Sequence, residues 1–93
     1  MTMPQAGHYV QSHDAVATPV GDRIVLYHRV SRTALVLNPT GSWMWGQLDR
    51  GRTPGELAQQ LRDRFPALSG ADADRDVSAF LTDLARHAFI AVA

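Results

Sequence analysis

The sequence predicts an α+β domain, winged-helix-like, with a three-stranded antiparallel sheet followed by three helices. Three observations carry this reading. β-branched and aromatic runs fill the chain up to Leu37. Apolar residues recur at helical spacing after Asn38. The strand-like runs are joined by connections short enough to be hairpins, and runs of strands followed by runs of helices mark the α+β class.

Residues 1–13 carry Pro, Gly, Gln, Ser and two histidines, and read as a flexible N-terminal tail ahead of a domain over 14–93. "AVATPV", 15–20, reads as an edge strand, because Pro19 has no N–H for an inner ladder. Gly21-Asp22 is a turn. In "RIVLYHRV", 23–30, Ile24, Leu26, His28 and Val30 share one face, and Arg23, Val25, Tyr27 and Arg29 the other. Ser31-Arg32 connects to "TALVL", 33–37. Leu35 and Leu37 point to one side of this strand, Ala34 and Val36 to the other, and both sides are apolar. Such a strand expects cover on both faces.

Asn38 is placed to cap a first helix, with Pro39 at the first position, where a missing N–H costs nothing. Met44, Trp45 and Leu48 form its buried stripe, Trp43 falls off it, and Gly51 ends the helix. Thr53 and Glu56 make a capping box for the second helix, again with a first-position proline, Pro54. Leu57, Leu61 and Phe65 follow at helical spacing until Pro66 stops them. After the loop "ALSG", Asp72, Asp74 and Asp76 favour the start of a third helix through its dipole. Its core stripe is Val77, Leu81, Leu84 and Ala88, and a neighbouring stripe reads Asp76, Phe80, Asp83, His87.

With 93 residues, 45% hydrophobic and 19% charged, the chain is a single globular domain, too small to surround a large active-site cavity. Nine basic and nine acidic residues give zero formal charge, which argues against a nucleic-acid partner. The cysteine count of zero excludes disulfides, thiolate metal sites and cysteine nucleophiles. The opening residues lack the basic and apolar regions of a secretory signal, and the apolar run "AFIAVA" is far shorter than a membrane span, so a soluble cytoplasmic protein is expected.

No catalytic or metal constellation emerges. His8, His13, His28 and His87 have no metal-ligand spacing and read as tail or surface histidines. Ser12, His13 and Asp14 are adjacent in sequence, whereas a catalytic relay needs convergence in space. Phosphate-binding glycine motifs are absent. Neither an enzyme nor a required cofactor is expected. A winged-helix nucleic-acid binder is the alternative, carried by Arg50, Arg52, Arg62 and Arg64, but Asp49, Glu56 and Asp63 interrupt that basic face. Phe80, on the shoulder of the core stripe, either widens the apolar face or lines a groove. Beside an unpaired strand 33–37, such a groove would suit an added peptide strand.

The segments "LNPTGSWMWGQLDRGRTPGELAQQLRDRFP" and "RDVSAFLTDLARHAFI" resemble the PqqD-like family, the peptide-recognition proteins and domains of pathways that modify ribosomally made peptides. The resemblance rests on Leu37, Asn38, Gly41, Met44, Trp45, Leu48, Asp49, Gly51, Thr53, Glu56, Leu57, Asp76, Val77, Phe80, Leu81 and Leu84, taken in order and spacing. It covers about residues 20–93. It implies that the leader segment of a precursor peptide binds as an added strand between the third strand and the third helix. The groove residues would be Ala34, Leu35, Val36 and Leu37 with Asp76, Phe80 and Asp83. It also implies a partner enzyme that modifies the peptide, such as a radical-SAM enzyme, a peptidase or a cyclase. The chain departs from the family pattern at Arg50, inserted before Gly51, and at Ala88, where a glycine is usual near the end of the third helix.

Overall fold

The computed structural model describes residues 7–92. The elements run β1 (Tyr9–Gln11), β2 (Ala15–Val20), β3 (Arg23–His28), β4 (Ala34–Leu37), α1 (Pro39–Gln47), α2 (Pro54–Arg64), α3 (Gly70–Arg86) and β5 (Ile90–Val92). The predicted sheet is present as β2-β3-β4, antiparallel throughout, and three helices follow it.

Residues 9–11, expected as part of a tail, instead form β1. They pair antiparallel with β5, so that Tyr9 faces Val92. Tyr9 also exchanges both backbone hydrogen bonds with Arg52, at 2.8 and 3.0 Å. Gln11 closes the C-terminal end of α1: its N–H donates to the Leu48 carbonyl (2.9 Å), and its side-chain amide donates to the Trp45 carbonyl (2.8 Å). Orphan carbonyls at a helix end are thereby satisfied. Residues 1–6 of the expected tail lie outside the described residues.

The β2–β3 hairpin turns on Gly21-Asp22, with φ +63° at Gly21. A positive φ at the first turn residue suits a two-residue hairpin, and glycine adopts it without a Cβ clash. Pro19 faces Ile24 on the outer strand of the sheet, where its missing N–H breaks no inner ladder. Leu26 and His28 are buried on the inner face, whereas Val30, expected to join them, is 73% exposed. β3 ends at His28, and the chain turns before Val30.

The caps follow the sequence. The Asn38 side chain accepts from Gly41 N–H at 2.7 Å, and the Thr53–Glu56 capping box is complete. Helix α1 stops at Gln47, earlier than Gly51 implied. Met44, Trp45 and Leu48 are buried, and Trp43 is half-buried with its ring edge-on to Phe65 at 5.9 Å. Helix α3 begins earlier than the acidic run suggests. Ser69 caps it by accepting from Asp72 N–H, leaving Asp72 as the acid of the first turn.

At the other end of α3, Ala88 is exposed and outside the helix, contrary to its expected place in the core stripe. It has φ +59°. The Phe89 N–H bonds the Leu84 carbonyl (2.9 Å), and the Ala88 N–H bonds the Ala85 carbonyl (3.1 Å). This is a Schellman termination with alanine in the left-handed position that usually takes glycine. Phe89 and Leu84, both fully buried, supply the apolar contact that accompanies it.

Candidate functional site

In the order β2-β3-β4, β4 is an edge strand among the described residues. Its pairing with β3 decides which backbone groups face outward. His28 N–H donates to the Thr33 carbonyl at 2.9 Å, and the register sets Leu26 opposite Leu35 and Ile24 opposite Leu37. In an antiparallel ladder, hydrogen-bonded and non-hydrogen-bonded pairs alternate. Leu35 and Leu37 therefore direct their amides and carbonyls toward β3, while those of Ala34 and Val36 point out to the free edge.

Leu35 and Leu37 turn their side chains toward the core, and Leu37 is buried. Ala34 and Val36 project from the opposite face, with Val36 58% exposed. The second apolar side of the strand thus has no cover among the described residues.

Between β4 and α3 runs a groove of about 330 Å³. Leu35, Val36 and Leu37 line it from the strand, and Asp76, Phe80 and Asp83 from the helix. Six of the seven residues singled out from the sequence are thus brought together, and Ala34 stands just outside the lining. Phe80 is only 8% exposed, so it serves both the core and the groove. Its ring lies against the backbone of α1: a Cβ on Gly41 would sit 3.6 Å from two ring carbons and 3.1 Å from Asn38 Oδ1. Glycine there lets the cap close and the ring approach together. Asp76 is half-buried on the rim, and Asp83 is exposed with Arg86 3.6 Å away.

Sequence reasoning did not place Asn38, Thr40, Gly41, Met44, Ala79 and Leu84 in this lining. A usable signal was the glycine one helical turn after Asn38, at a position where a close approach explains it. His28, expected at the surface, is 6% exposed. Among the described residues, a carboxylate shifted from its ordinary pKa lies remote from the groove. Glu56, in the cap of α2, is held below the usual carboxylate value, first by the hydrogen bond from the Thr53 backbone N–H. Among the described residues no three His, Asp or Glu side chains converge as metal ligands would, and no helix is long and apolar enough to cross a membrane.

The sequence profile of coenzyme PQQ synthesis protein D (PqqD) matches residues 23–90, which is most of the chain and includes both walls of the groove. The chain belongs to the PqqD family. Its fold is similar to that of TbiB1, solved in complex with the TbiA(beta) leader peptide. The TM-score is 0.78 at 26% identity, covering 87% of this chain and 93% of that one. It is also similar to lasso peptide synthetase B1 complexed with the leader peptide, with TM-score 0.76 at 23% identity over 89% of this chain and 96% of that one. No curated protein matches the PqqD-family chain in sequence.

Proposed function

We propose that this PqqD-family chain is a non-catalytic binding protein. It recognises the leader segment of a ribosomally made precursor peptide by strand addition and presents that peptide to a modifying enzyme. One observation carries the reading: the outward amides and carbonyls of Ala34 and Val36 lie on a strand edge that no described residue pairs, directly beside a groove that combines Leu35, Leu37 and Phe80 with the carboxylates of Asp76 and Asp83. A peptide laid along β4 gains main-chain hydrogen bonds from the edge. It places alternate side chains against Leu35, Leu37 and Phe80. The four residues of β4 span about 13 Å at strand rise, so the contact engages a short segment of the leader. Asp76 and Asp83 on the rim favour a leader that carries a basic residue beside its apolar ones.

Family membership and the leader-bound relatives support this reading. The partner enzyme belongs to the classes that act on such peptides: a radical-SAM enzyme, a peptidase or a cyclase. Calorimetric titration with a synthetic leader, chosen from short open reading frames sought next to the chain's gene, is the test. Saturable one-to-one binding is expected. Absence of binding, or tight binding that duplex DNA displaces, would overturn the proposal.

A further inference from the structure

Two polar side chains are buried in the described part of the molecule, His28 and Ser42, and they stand at opposite ends of β4. His28 Nδ1 accepts from the backbone N–H groups of Val30 and Ser31, each at 3.2 Å. An atom that accepts two N–H groups carries no proton of its own, so the imidazole proton belongs on Nε2. These bonds organise the turn that delivers the chain into β4. That turn needs organising, because Arg32 within it has φ +60°, a conformation that non-glycine residues disfavour. The same backbone segment is closed by His28 N–H to the Thr33 carbonyl (2.9 Å) and Arg32 N–H to the His28 carbonyl (2.8 Å). The His28 ring also meets Phe89 edge-on, with centroids 5.9 Å apart, at the end of α3. His28 therefore holds the turn that leads into β4 through hydrogen bonds and meets the residue just past α3 through ring packing.

Ser42 does the corresponding work at the other end. Its Oγ accepts from Ile24 N–H at 2.8 Å and donates to the Leu37 carbonyl at 3.3 Å. Ile24 and Leu37 are the pair that closes the β3–β4 ladder, so the hydroxyl ties this last rung to helix α1. Next to it in sequence, Gly41 lies against Phe80 of the opposite wall.

We propose that His28 and Ser42 are positioning residues for peptide capture, buried clamps that hold the two ends of β4 so that its free edge keeps the line an added strand requires. The inference rests on the peptide-binding reading for its purpose, but its structural content is independent of any peptide. A strand pairs only if its outward groups recur in register, and a four-residue edge has no spare rungs to absorb a bend at either end.

Substitutions at His28 separate clamp from filler. His28→Phe keeps a ring against Phe89 and removes the acceptor. His28→Asn places an oxygen at the position of Nδ1, one bond from Cγ, and gives up the ring. Ser42→Ala, a small change that the fold should tolerate, removes the second clamp. Two readouts are needed: affinity for the synthetic leader described above, and amide hydrogen exchange without peptide.

The clamp predicts that His28→Phe weakens leader binding by about tenfold while His28→Asn stays within about twofold, although Asn loses more stability in urea because it leaves a cavity. Ser42→Ala should weaken binding several-fold. Without peptide, His28→Phe should speed exchange at Val30, Ser31, Leu35 and Leu37, and His28→Asn should not. If leader affinity follows stability, with Asn the weaker binder, the positioning role is overturned. If the wild type binds no leader, the peptide-binding reading fails on its own. The clamp then stands or falls on exchange alone, and unchanged exchange at Leu35 and Leu37 in His28→Phe overturns it.

Discussion

Helix α3 has a hollow on each flank, and the two differ in kind. The cleft toward α2, lined by Tyr9, Ala58, Val77, Leu81 and neighbours, is the larger, at about 550 Å³. The groove toward β4 is about 330 Å³. The walls of the cleft are mainly helix surfaces, whose amides and carbonyls bond along their own helices except at the first-turn amide of Gly55, and Tyr9, which is already paired with Val92 and Arg52. The groove has one wall with outward backbone groups that no described residue uses. A peptide in water has its own amides hydrated, and it gives up that hydration readily only where replacements exist. On the proposed reading, a strand edge with unpaired backbone, rather than the larger volume, is where a peptide would dock.

The largest test of this contrast uses adjacent residues of α3 that face different flanks. Phe80 and Leu81 are similarly buried, at 8% and 7% exposure, with Phe80 on the groove and Leu81 on the cleft. Phe80→Ala should cost about 3–5 kcal/mol and Leu81→Ala about 2–5 kcal/mol in urea melts. Their effects on leader affinity should diverge: Phe80→Ala should weaken it by about tenfold or more, as for an interface anchor, whereas Leu81→Ala should leave it nearly unchanged. Equal losses of affinity, measured on folded protein, would erase the distinction between the flanks.

Next in size is an attack on the edge itself. Val36→Pro removes an outward N–H and adds a ring on the free side, without taking a rung from β3. It should weaken leader binding by at least about tenfold, roughly 1.4 kcal/mol, while the melting transition moves little. Ser78→Leu, which fills the other cleft from an exposed position, is the control and should leave affinity within about twofold.

A smaller effect is expected at the end of α3. Ala88→Gly relieves a left-handed residue and should stabilise the fold by about 1 kcal/mol, since the φ +59° position suits glycine. Leader affinity should not change, because the substitution lies outside the groove lining. A loss of stability would show that the strain is absorbed elsewhere in the Schellman turn.

Much of this architecture is legible in the sequence because the signals are local. Gly21-Asp22, Asn38-Pro39 and Thr53–Glu56 each specify a turn or cap within four residues. The helical spacing of Val77, Leu81 and Leu84 fixes which face of α3 is buried, and this puts Phe80 on the shoulder beside β4. The period-two pattern of residues 34–37 similarly identifies the two faces of the strand. The β1–β5 pair was not legible. Three-residue strands show no periodicity, and their partners are separated by nearly the whole chain. Ser69 was hidden by the stronger acidic run after it. Ala88 stands at helical spacing, where an alanine looks like core, and only the backbone geometry reveals a left-handed cap. The role of His28 depends on where a turn points its N–H groups, which residue type alone does not state.

The central claim is that a leader adds to β4 as a strand, and amide exchange reads it residue by residue. With saturating synthetic leader, the amides of Ala34 and Val36 should become protected. Those of Leu35 and Leu37, already bonded to β3, should change little. That alternation along one strand is the expected result. Protection of residues around Ala58, Ser78 and Thr82 in the other cleft, with Ala34 and Val36 exchanging as in the free protein, would contradict the account.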